Sequence, residues 1–294
     1  MKSKTITPLL IIALIILSFI SGSLWMRLRN LEKGKEVKKG EKEEAQPSVA
    51  NFNPEKKEKP EVKFFVMSFC PFGNQAEKGL EPVYRLLKDK VLWQPRYVIY
   101  NKDYCNNMVY DEKRCQQLVD AGRVPDLETC KKYFPFKTTD ECVKKFCLQE
   151  GENYYCSMHG IGEANQNVRE ICVYKNFGMD KYWDFVAKVN DKCNPGNVED
   201  CWQSEAEEVG LDVSQITQCQ ENQALALLRE EVTEDQKYKV RGSPTVYINN
   251  SLYKGGRQPE DYKKAICAGF KEQPEECKKV LSSSTKGPSI GGCK

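Results

Sequence analysis

The sequence predicts an α/β domain that is interrupted by a long, cysteine-rich helical insertion. A buried-strand pattern, a helical pattern and a second strand pattern follow one another within residues 62–100, which is the order of a βαβ unit. A hairpin pattern and a closing helix occupy residues 242–270, and the region between the two is mostly helical in period. Fourteen cysteines in 294 residues indicate that disulfides stabilise the protein.

Composition narrows the classes of function. The chain is 40% hydrophobic and 30% charged, with a net charge of only +3, so no clustered basic face and no nucleic-acid partner are expected. No two cysteines form a C-x-x-C pair and His159 is the single histidine, which argues against a structural zinc site. The number of cysteines alone does not exclude an iron–sulfur centre, but the sequence has no ferredoxin-type cysteine run. We predict no metal and no cofactor, and a disulfide-bonded domain in an oxidising compartment.

The amino terminus predicts attachment to a membrane. A basic flank at residues 1–5 precedes an uncharged, largely aliphatic segment at residues 6–26, which is long enough to span a bilayer as one helix. The alternative is a cleaved signal peptide, since residues 21–23 are small. The cations within residues 27–35 follow this segment, and the positive-inside rule would place them in the cytoplasm. The cysteine content nevertheless favours a single-pass protein whose domain is extracytoplasmic. If the segment is removed, the protein is secreted.

The rest of the chain divides by composition. Residues 27–60 are dominated by lysine and glutamate without any period, which is typical of a solvated, disordered tether. Residues 61–282 are expected to form the folded domain, with the helical insertion at about 101–238. Residues 283–294 read as a flexible tail.

The first strand and helix of the domain meet at a turn that contains a cysteine. The run VKFFVMSF predicts a buried strand and ends at Cys70, Pro71, Phe72 and Gly73. The following segment NQAEKGLEPVYRLLKD has apolar residues at helical spacing, with Pro82 as an expected kink, and VLWQPRYVIY predicts the second strand.

Cys70 is the candidate nucleophile, because a thiolate at a helix start is stabilised by free N–H groups and by the helix dipole. Pro71 suits the first helical turn, where a missing N–H has no cost. A buried or disulfide-bonded structural cysteine is the alternative interpretation of Cys70.

A second motif precedes the hairpin. Ser243, Pro244 and Thr245 open the apolar run TVYINN, which a tight turn connects to LYKGG. In this order of elements the motif resembles the cis-proline loop of the thioredoxin superfamily, and residues 62–100 and 240–270 resemble oxidoreductases of the DsbA type. The resemblance implies a thioredoxin-like fold in which this loop faces Cys70 and docks an extended peptide.

Two more specific resemblances lie in and after the insertion. His159 to Glu163, Asn167 and Cys172 match the H-G-x-x-E-C-x-x-N-x-x-x-x-C signature of gamma-interferon-inducible lysosomal thiol reductases, with Ala164 in place of one cysteine. Segments such as NQNVREICVYKN and SPTVYINNSLYKGG are similar to the thioredoxin-like lumenal segment of plant vacuolar sorting receptors. The first likeness implies a reductase, in which His159 is a candidate auxiliary proton carrier or a loop-fixing residue. The second implies a non-enzymatic receptor segment.

The chain departs from the redox family at Gly73, where that family has the second cysteine of C-x-x-C. Without a second cysteine in the turn, the mixed disulfide that Cys70 forms with a substrate is broken only when another thiol attacks it. We therefore predict monothiol exchange, isomerisation or substrate trapping. Cys293, on the tail, is a candidate resolving thiol or the site of an intermolecular bridge.

The remaining cysteines make an even set that fits six structural bridges. Near neighbours suggest Cys105 with Cys115, Cys201 with Cys219, and Cys267 with Cys277, although sequence does not fix the connectivity. The twelve are Cys105, Cys115, Cys130, Cys142, Cys147, Cys156, Cys172, Cys193, Cys201, Cys219, Cys267 and Cys277.

The function predicted from the sequence is thiol–disulfide exchange on extracytoplasmic proteins. The partners are then protein or peptide substrates with thiols or disulfides, an unknown redox partner, and the membrane through the N-terminal helix. The alternatives are a redox-inactive peptide-binding module, which the missing cysteine at Gly73 favours, and a purely structural envelope protein.

Overall fold

The computed structural model describes residues 52–282 and Cys293. Its strands are β1 (Glu61–Val66), β2 (Leu92–Tyr97), β3 (Cys147–Glu150), β4 (Asn153–Cys156), β5 (Thr245–Ile248) and β6 (Ser251–Tyr253). Its helices are α1 (Pro71–Leu87), α2 (Asp103–Met108), α3 (Glu112–Asp120), α4 (Leu127–Tyr133), α5 (Thr139–Phe146), α6 (Ile161–Lys192), α7 (Val198–Glu208), α8 (Val213–Tyr238) and α9 (Pro259–Cys267). Short 3-10 turns follow α1 and α9, at Lys88–Lys90 and Glu275–Lys278.

A four-stranded sheet with the order β2-β1-β5-β6 forms the centre of the domain. β1 pairs parallel with β2 and antiparallel with β5, so the first three elements form the βαβ unit that the sequence predicts. β5 and β6 form a hairpin whose two turn residues, Asn249 and Asn250, both have positive φ. Asparagine tolerates this conformation better than most residues, and a two-residue turn of this kind matches the twist of the strands.

The alternation of side chains along β1 explains why both faces of the sheet are covered. Val62, Phe64 and Val66 are buried in the main core, where the ring of Phe64 stacks on Trp183 of α6 at 5.4 Å. Phe65 points to the opposite face and packs on Tyr238, at the end of α8. Because successive side chains of a strand point in opposite directions, one buried strand joins two separate apolar clusters.

Helix α1 follows the turn at Cys70 and lies on the main core. Ala76, Leu80 and Val83 are fully buried at helical spacing, which fixes the face that α1 turns inward. The helix continues through Pro82, so the expected kink does not end it.

The insertion between β2 and β5 consists of helices α2 to α8 and the two-stranded hairpin β3–β4. Its longest element, α6, changes direction at Gly178, which has a φ of +81°. Glycine reaches this conformation without the strain that a Cβ would add. The N-terminal half of α6 faces the turn at Cys70, and its C-terminal half contributes the core residues Tyr182 and Trp183.

The last helix of the insertion protects an edge of the main sheet. β2 has β1 on one side only, and the N–H groups of Tyr97 and Ile99 on its other side donate to carboxylates of α8. Glu231 accepts from Tyr97 and also pairs with Arg96, while Asp235 accepts from Ile99. Unpaired N–H groups along an edge strand are a template for association, and these carboxylates occupy them.

All fourteen cysteines form disulfides. The sequence-based pairs Cys105–Cys115 and Cys201–Cys219 are wrong, because helix packing determines which cysteines meet: Cys105 pairs with the more distant Cys142 and Cys201 with the nearer Cys193. Cys267 does pair with Cys277. The six bridges outside the Cys70 turn are Cys105–Cys142, Cys115–Cys130, Cys147–Cys156, Cys172–Cys219, Cys193–Cys201 and Cys267–Cys277.

The structured domain begins earlier than the sequence suggests. Phe52 packs edge-on against Tyr253, and Lys57 pairs with Phe270 in a β-bridge, so residues 52–60 belong to the domain and not to a tether. The predicted anchor at residues 6–26 lies outside the described residues. Within the part of the chain that the structure describes, no helix has the length and apolar character needed to cross a bilayer.

Candidate active site

Cys70 occupies the position immediately before helix α1. Its backbone is extended, and Pro71 takes the first helical position, so the chain turns sharply from β1 into the helix. The residue is fully buried and packs with Phe65, Met67 and Val98. No side chain caps this helix start within the described residues, and unpaired N–H groups in the first turn of a helix stabilise a thiolate when one forms.

The predicted cis-proline loop lies against this turn. The Ser243–Pro244 peptide bond is cis, and the carbonyl oxygen of Ser243 lies 3.6 Å from the Sγ atom of Cys70. The backbone N–H of Met67 donates to the hydroxyl of Ser243 at 3.1 Å. Thr245 begins β5 opposite Phe65, which carries the loop to the same end of the sheet as Cys70. The structure thus brings the two motifs together.

Cys293 completes the arrangement. It forms a disulfide with Cys70 across 223 residues of sequence, with the two Cα atoms 6.1 Å apart. Its N–H donates to the carbonyl oxygen of Ser243 at 2.8 Å, and its carbonyl oxygen accepts from the N–H of Ser243 at 2.9 Å. Cys293 is therefore held by an antiparallel backbone pair as well as by the sulfur bond, and the residue assigned to a flexible tail is fixed here. The bridge is intramolecular, and no cysteine is left as a lone thiol.

The geometry around Gly73 explains why this position has no cysteine. A Cβ atom placed on Gly73 would lie 2.6 Å from the Oγ atom of Ser243 and 3.3 Å from the carbonyl oxygen of Met67. Real Cβ contacts are longer than 2.6 Å, so a side chain here requires the hydroxyl of Ser243 to move. The space that a second cysteine needs in a C-x-x-C turn is taken by Ser243.

Glu163 links the insertion to the Cys70 turn. This fully buried residue accepts a hydrogen bond from the N–H of Phe69 at 2.8 Å, and its other oxygen accepts from the hydroxyl of Ser157. His159 contacts the same carboxylate through its backbone N–H and through Nδ1, which lies 2.8 Å from Oε1. His159 thus fixes Glu163, and Glu163 fixes the residue before Cys70. These contacts support the loop-fixing interpretation of His159.

Asn167, one helical turn after Glu163, repeats this role. Its Oδ1 atom accepts from the backbone N–H of Ser68 at 3.2 Å and from the Ser68 hydroxyl at 2.6 Å. The spacing of four residues places both side chains on the same face of α6. The glutamate and asparagine of the thiol-reductase-like signature therefore both bind the segment that precedes Cys70.

A buried acidic pair lies behind this segment. Glu77 of α1 accepts from Asn190 and Tyr182, and Glu170 of α6 accepts from Gln166 and from Tyr97. The hydroxyls of the two tyrosines are 3.2 Å apart and connect the carboxyls. Burial raises the pKa of Glu77 to about 8, and the nearby Glu170 carboxyl raises it further; burial also raises the pKa of Glu170 to about 7.

One cluster of sulfur atoms has the spacing of a metal site. The Sγ atoms of Cys105, Cys147 and Cys156 lie within 4.8 Å of one another, but all three belong to disulfides. Metals bind cysteine as the thiolate, so these sulfurs are not ligands in this state.

The sequence identified Cys70, the Ser243–Thr245 loop, Cys293 and His159, and the structure gathers them at one end of the sheet. It gave no role to Glu163 or Asn167, although the signature contains both, and it missed the Glu77–Glu170 pair. The available signal was the i, i+4 spacing of two polar side chains, Glu163 and Asn167, which places them on the same face of α6.

A parallel βαβ unit, an antiparallel hairpin after a cis-proline, and a cysteine at the start of α1 define a thioredoxin-like domain. The model of the vacuolar sorting receptor thioredoxin-like domain matches residues 78–267, and the chain belongs to this family. Vacuolar-sorting receptor 5 of Arabidopsis thaliana is 25% identical over 228 residues, which cover 72% of this chain and 31% of the receptor. Vacuolar-sorting receptor 1 of Pisum sativum is 27% identical over 45% of this chain and 24% of its own length. The chain thus matches less than a third of these relatives.

Two of the solved structures to which the chain is similar come from bacteria. Oxidised BdbD from Bacillus subtilis has 15% identity and a TM-score of 0.42, with 80% of this chain and 97% of that chain covered. Reduced DsbA from Mycobacterium tuberculosis has 14% identity and a TM-score of 0.42, with 74% and 86% covered.

Proposed function

We propose that the domain carries out thiol–disulfide exchange on protein substrates outside the cytoplasm, with Cys70 as nucleophile and Cys293 as its partner thiol. The observation that carries the proposal is the Cys70–Cys293 disulfide, formed where a helix starts and where the cis-proline loop offers its backbone. This proposal replaces the monothiol mechanism, because the second sulfur comes from the tail instead of position 73.

The helix start favours exchange by stabilising one of the two sulfurs. An external thiolate attacks the sulfur of Cys293, which is the more exposed partner, and forms a mixed disulfide with the tail. The bond between the two protein sulfurs breaks, and Cys70 leaves as a thiolate beside the N–H groups of α1. A second equivalent of the thiol frees Cys293 and leaves as the oxidised disulfide, so the protein gains two electrons and two protons.

The reduced protein then acts on a substrate disulfide. The Cys70 thiolate forms a bond with one substrate sulfur, the substrate disulfide breaks, and the leaving sulfur takes a proton from solvent. The Cys293 thiolate next attacks Cys70, which restores the protein disulfide and releases the substrate as a dithiol. The reverse sequence oxidises a substrate dithiol.

The location of the domain follows from the same chemistry. Seven disulfides within one domain persist only in an oxidising compartment. The proposal includes a single-pass anchor at residues 6–26 that holds the domain on the extracytoplasmic side of a membrane.

The test uses the full chain and a peptide with one internal disulfide. After mild reduction, wild type should release the peptide as a dithiol without accumulating an adduct. The Cys293→Ser variant should accumulate one covalent peptide adduct on Cys70, and Cys70→Ser should form none, both measured by intact and peptide mass spectrometry. If Cys293→Ser forms no adduct on Cys70, the exchange proposal is wrong.

A second candidate is a redox-inactive peptide-binding module. Two observations favour it: the curated relatives are named sorting receptors, and Cys70 is fully buried in its disulfide. In this case the loop at Ser243 holds a partner segment by backbone pairing alone. Failure of the adduct assay together with reversible binding of a peptide would favour the module.

A further inference from the structure

We propose that two neighbouring bridges of the insertion become one Zn²⁺ site when both are reduced. The four ligands are the thiolates of Cys105, Cys142, Cys147 and Cys156. The bridges described above are then the oxidised state of the same four sulfurs. The site lies in the insertion and uses neither Cys70 nor the cis-proline loop, so this inference goes beyond the proposed function and does not depend on it.

The first support is the distance between the two bridges. The Sγ atoms of Cys105 and Cys147 belong to different bridges and lie 3.7 Å apart. Four sulfurs at about 2.3 Å from a tetrahedral Zn²⁺ ion are about 3.8 Å from one another, so this pair already has the separation of two zinc ligands. The Sγ atom of Cys156 lies within 4.8 Å of both. Three of the four ligand atoms are therefore grouped before any bridge opens.

The fourth ligand is the partner of Cys105. Cys142 on α5 is bonded to Cys105 on α2, which places its sulfur beside the group, while Cys147 and Cys156 stand opposite each other on β3 and β4. The sulfurs of each opened bridge must move apart to about 3.8 Å, which rotation about the Cα–Cβ bonds allows. The site needs no C-x-x-C pair, because the fold and not local spacing groups the ligands.

The second support is burial. All four cysteines are no more than 5% exposed, and with Val143 they form an apolar cluster separate from the main core. The rings of Tyr104, Phe146 and Tyr154 pack against this cluster. A structural zinc site with four cysteine ligands is closed to water in the same way, whereas a catalytic one keeps an open position. The surroundings therefore indicate a structural site.

The third support is the charge beside the cluster. A Zn²⁺ ion with four thiolates has a net charge of −2, and a buried charge needs compensation. The Nζ atom of Lys102 lies 4.5 Å from the ring centre of Tyr154, and the Nζ atom of Lys145 lies 5.5 Å from that of Phe146. Both rings belong to the aromatic shell of the cluster, so the two lysines supply an equal and opposite charge just outside it.

Loading the site from the bridged state is a four-electron reduction. Two equivalents of a dithiol reductant give four electrons and four protons and become disulfides, while the two protein bridges become four thiols. Zn²⁺ then displaces four protons as the thiolates bind it. In the reverse direction, two equivalents of a disulfide oxidant restore the bridges and release the ion. A newly made chain carries these cysteines as thiols before oxidation, so the zinc site precedes the bridges.

The first test uses Co²⁺, which binds in the place of Zn²⁺ and reports its coordination by colour. The full chain is reduced with a phosphine under anaerobic conditions and titrated with Co²⁺. Wild type should show the visible bands of tetrahedral thiolate coordination at one ion per chain. Cys105→Ser/Cys142→Ser should lose them, whereas Cys115→Ser/Cys130→Ser, which removes another bridge of the insertion, should keep them. An unchanged spectrum in Cys105→Ser/Cys142→Ser would overturn the site.

The second test maps the ligands with Zn²⁺ itself. The reduced chain is alkylated with and without one equivalent of Zn²⁺, and the modified cysteines are located by peptide mass spectrometry. Zinc should slow alkylation of the four proposed ligands about tenfold or more, because a coordinated thiolate is a poor nucleophile, and should leave Cys115 and Cys130 unaffected. Equal slowing at Cys115 and Cys130 would mean non-specific metal binding and would contradict the proposal.

Loss of folded structure on reduction does not hide the result. If the reduced chain loses helical circular dichroism, one equivalent of Zn²⁺ should restore part of it, since metal binding and folding are coupled in such sites. Neither recovery of the helical signal nor protection of the four cysteines would show that the site does not form. These outcomes leave exchange at Cys70 untouched, because its adduct assay needs no metal.

Discussion

Two disulfides of this domain join an antiparallel pair in different ways. In the β3–β4 hairpin, Cys147 and Cys156 stand directly opposite each other, and the sulfur bond connects the two paired residues across 9 residues of sequence. At the candidate site, Cys293 is paired with Ser243, but its sulfur bonds to Cys70 at the start of α1. The hairpin bridge therefore repeats a contact that the backbone already makes. At the candidate site, Ser243 and Cys293 form a single backbone pair. The sulfur bond connects this pair to a third segment, the start of α1.

The largest expected difference between the two bridges is their rate of reduction. Under a mild thiol reductant, Cys70–Cys293 should open at least a hundredfold faster than Cys147–Cys156, because Cys293 is accessible and Cys70 leaves as a stabilised thiolate, whereas both hairpin sulfurs are buried. The measurement is quenched alkylation followed by peptide mapping over time.

Cys193–Cys201 is the control for exposure, since both residues are partly exposed but neither lies beside the cis-proline loop. It should open more slowly than Cys70–Cys293. Equal rates for these two bridges would mean that solvent access alone determines the rate of reduction and that the helix start does not accelerate it.

The next effect concerns the space at Gly73. Gly73→Ala should lower the free energy of unfolding by about 1–3 kcal/mol, because its Cβ meets the hydroxyl of Ser243 and the packed turn must shift. Chemical denaturation with the disulfides intact measures the change. In a Ser243→Ala background the same substitution should cost less, since the hydroxyl is gone. An equal cost in both backgrounds would contradict the steric explanation.

A third prediction separates the turn from its support in the insertion. Glu163→Gln keeps the shape of the side chain but removes its charge, and it should destabilise the domain by about 1–3 kcal/mol because four contacts depend on the carboxylate. As a positioning residue, Glu163 should also affect Cys70: the pH midpoint of Cys70 alkylation in the Cys293→Ser background should move. Glu207→Gln, on an exposed side chain of α7, is the control. A loss of stability with an unchanged midpoint would restrict Glu163 to a structural role.

The last expected effect is a change of stability with pH that comes from the buried acidic pair. Glu77 has a folded pKa of about 8 against an ordinary value of 4.5, so its contribution to stability is complete below about pH 4.5 and is lost as the pH rises to about 8. The Glu77→Gln side chain stays neutral at every pH. The free energy of unfolding of the variant minus that of wild type should therefore be larger at pH 8 than at pH 5, by more than about 1 kcal/mol. The same pH slope in wild type and variant would show that Glu77 is not the group responsible.

Sequence reasoning succeeded where local patterns determine structure. The βαβ unit, the turn at Cys70 and a hairpin with its tight turn at Asn249–Ser251 follow from strand, helix and turn chemistry within a few residues. It failed on Cys105, because the packing of the insertion helices brings the distant Cys142 to it, and on Cys201, where the nearer Cys193 and not Cys219 is the partner. The disulfide between Cys70 and Cys293 joins residues 223 apart in sequence. The sequence therefore predicted a partnership with Cys70 only as one of two possible roles for Cys293.

The same limit applies to the supporting residues. Glu163 and Asn167 stand one turn apart, which predicts a shared face of α6 but not what that face binds. Their partners, Phe69 and Ser68, are almost a hundred residues earlier, and only the packing of α6 against the turn brings them within hydrogen-bond distance.

The carboxylates of Glu231 and Asp235 along β2 have a consequence for solubility. A sheet edge with free N–H groups invites another chain to add a strand, and this is a route to aggregates. α8 occupies the N–H groups of Tyr97 and Ile99 on the β2 side, and among the described residues the other edge of the main sheet is the short strand β6, Ser251–Tyr253. The insertion that supports the Cys70 turn also protects the domain from edge-to-edge aggregation.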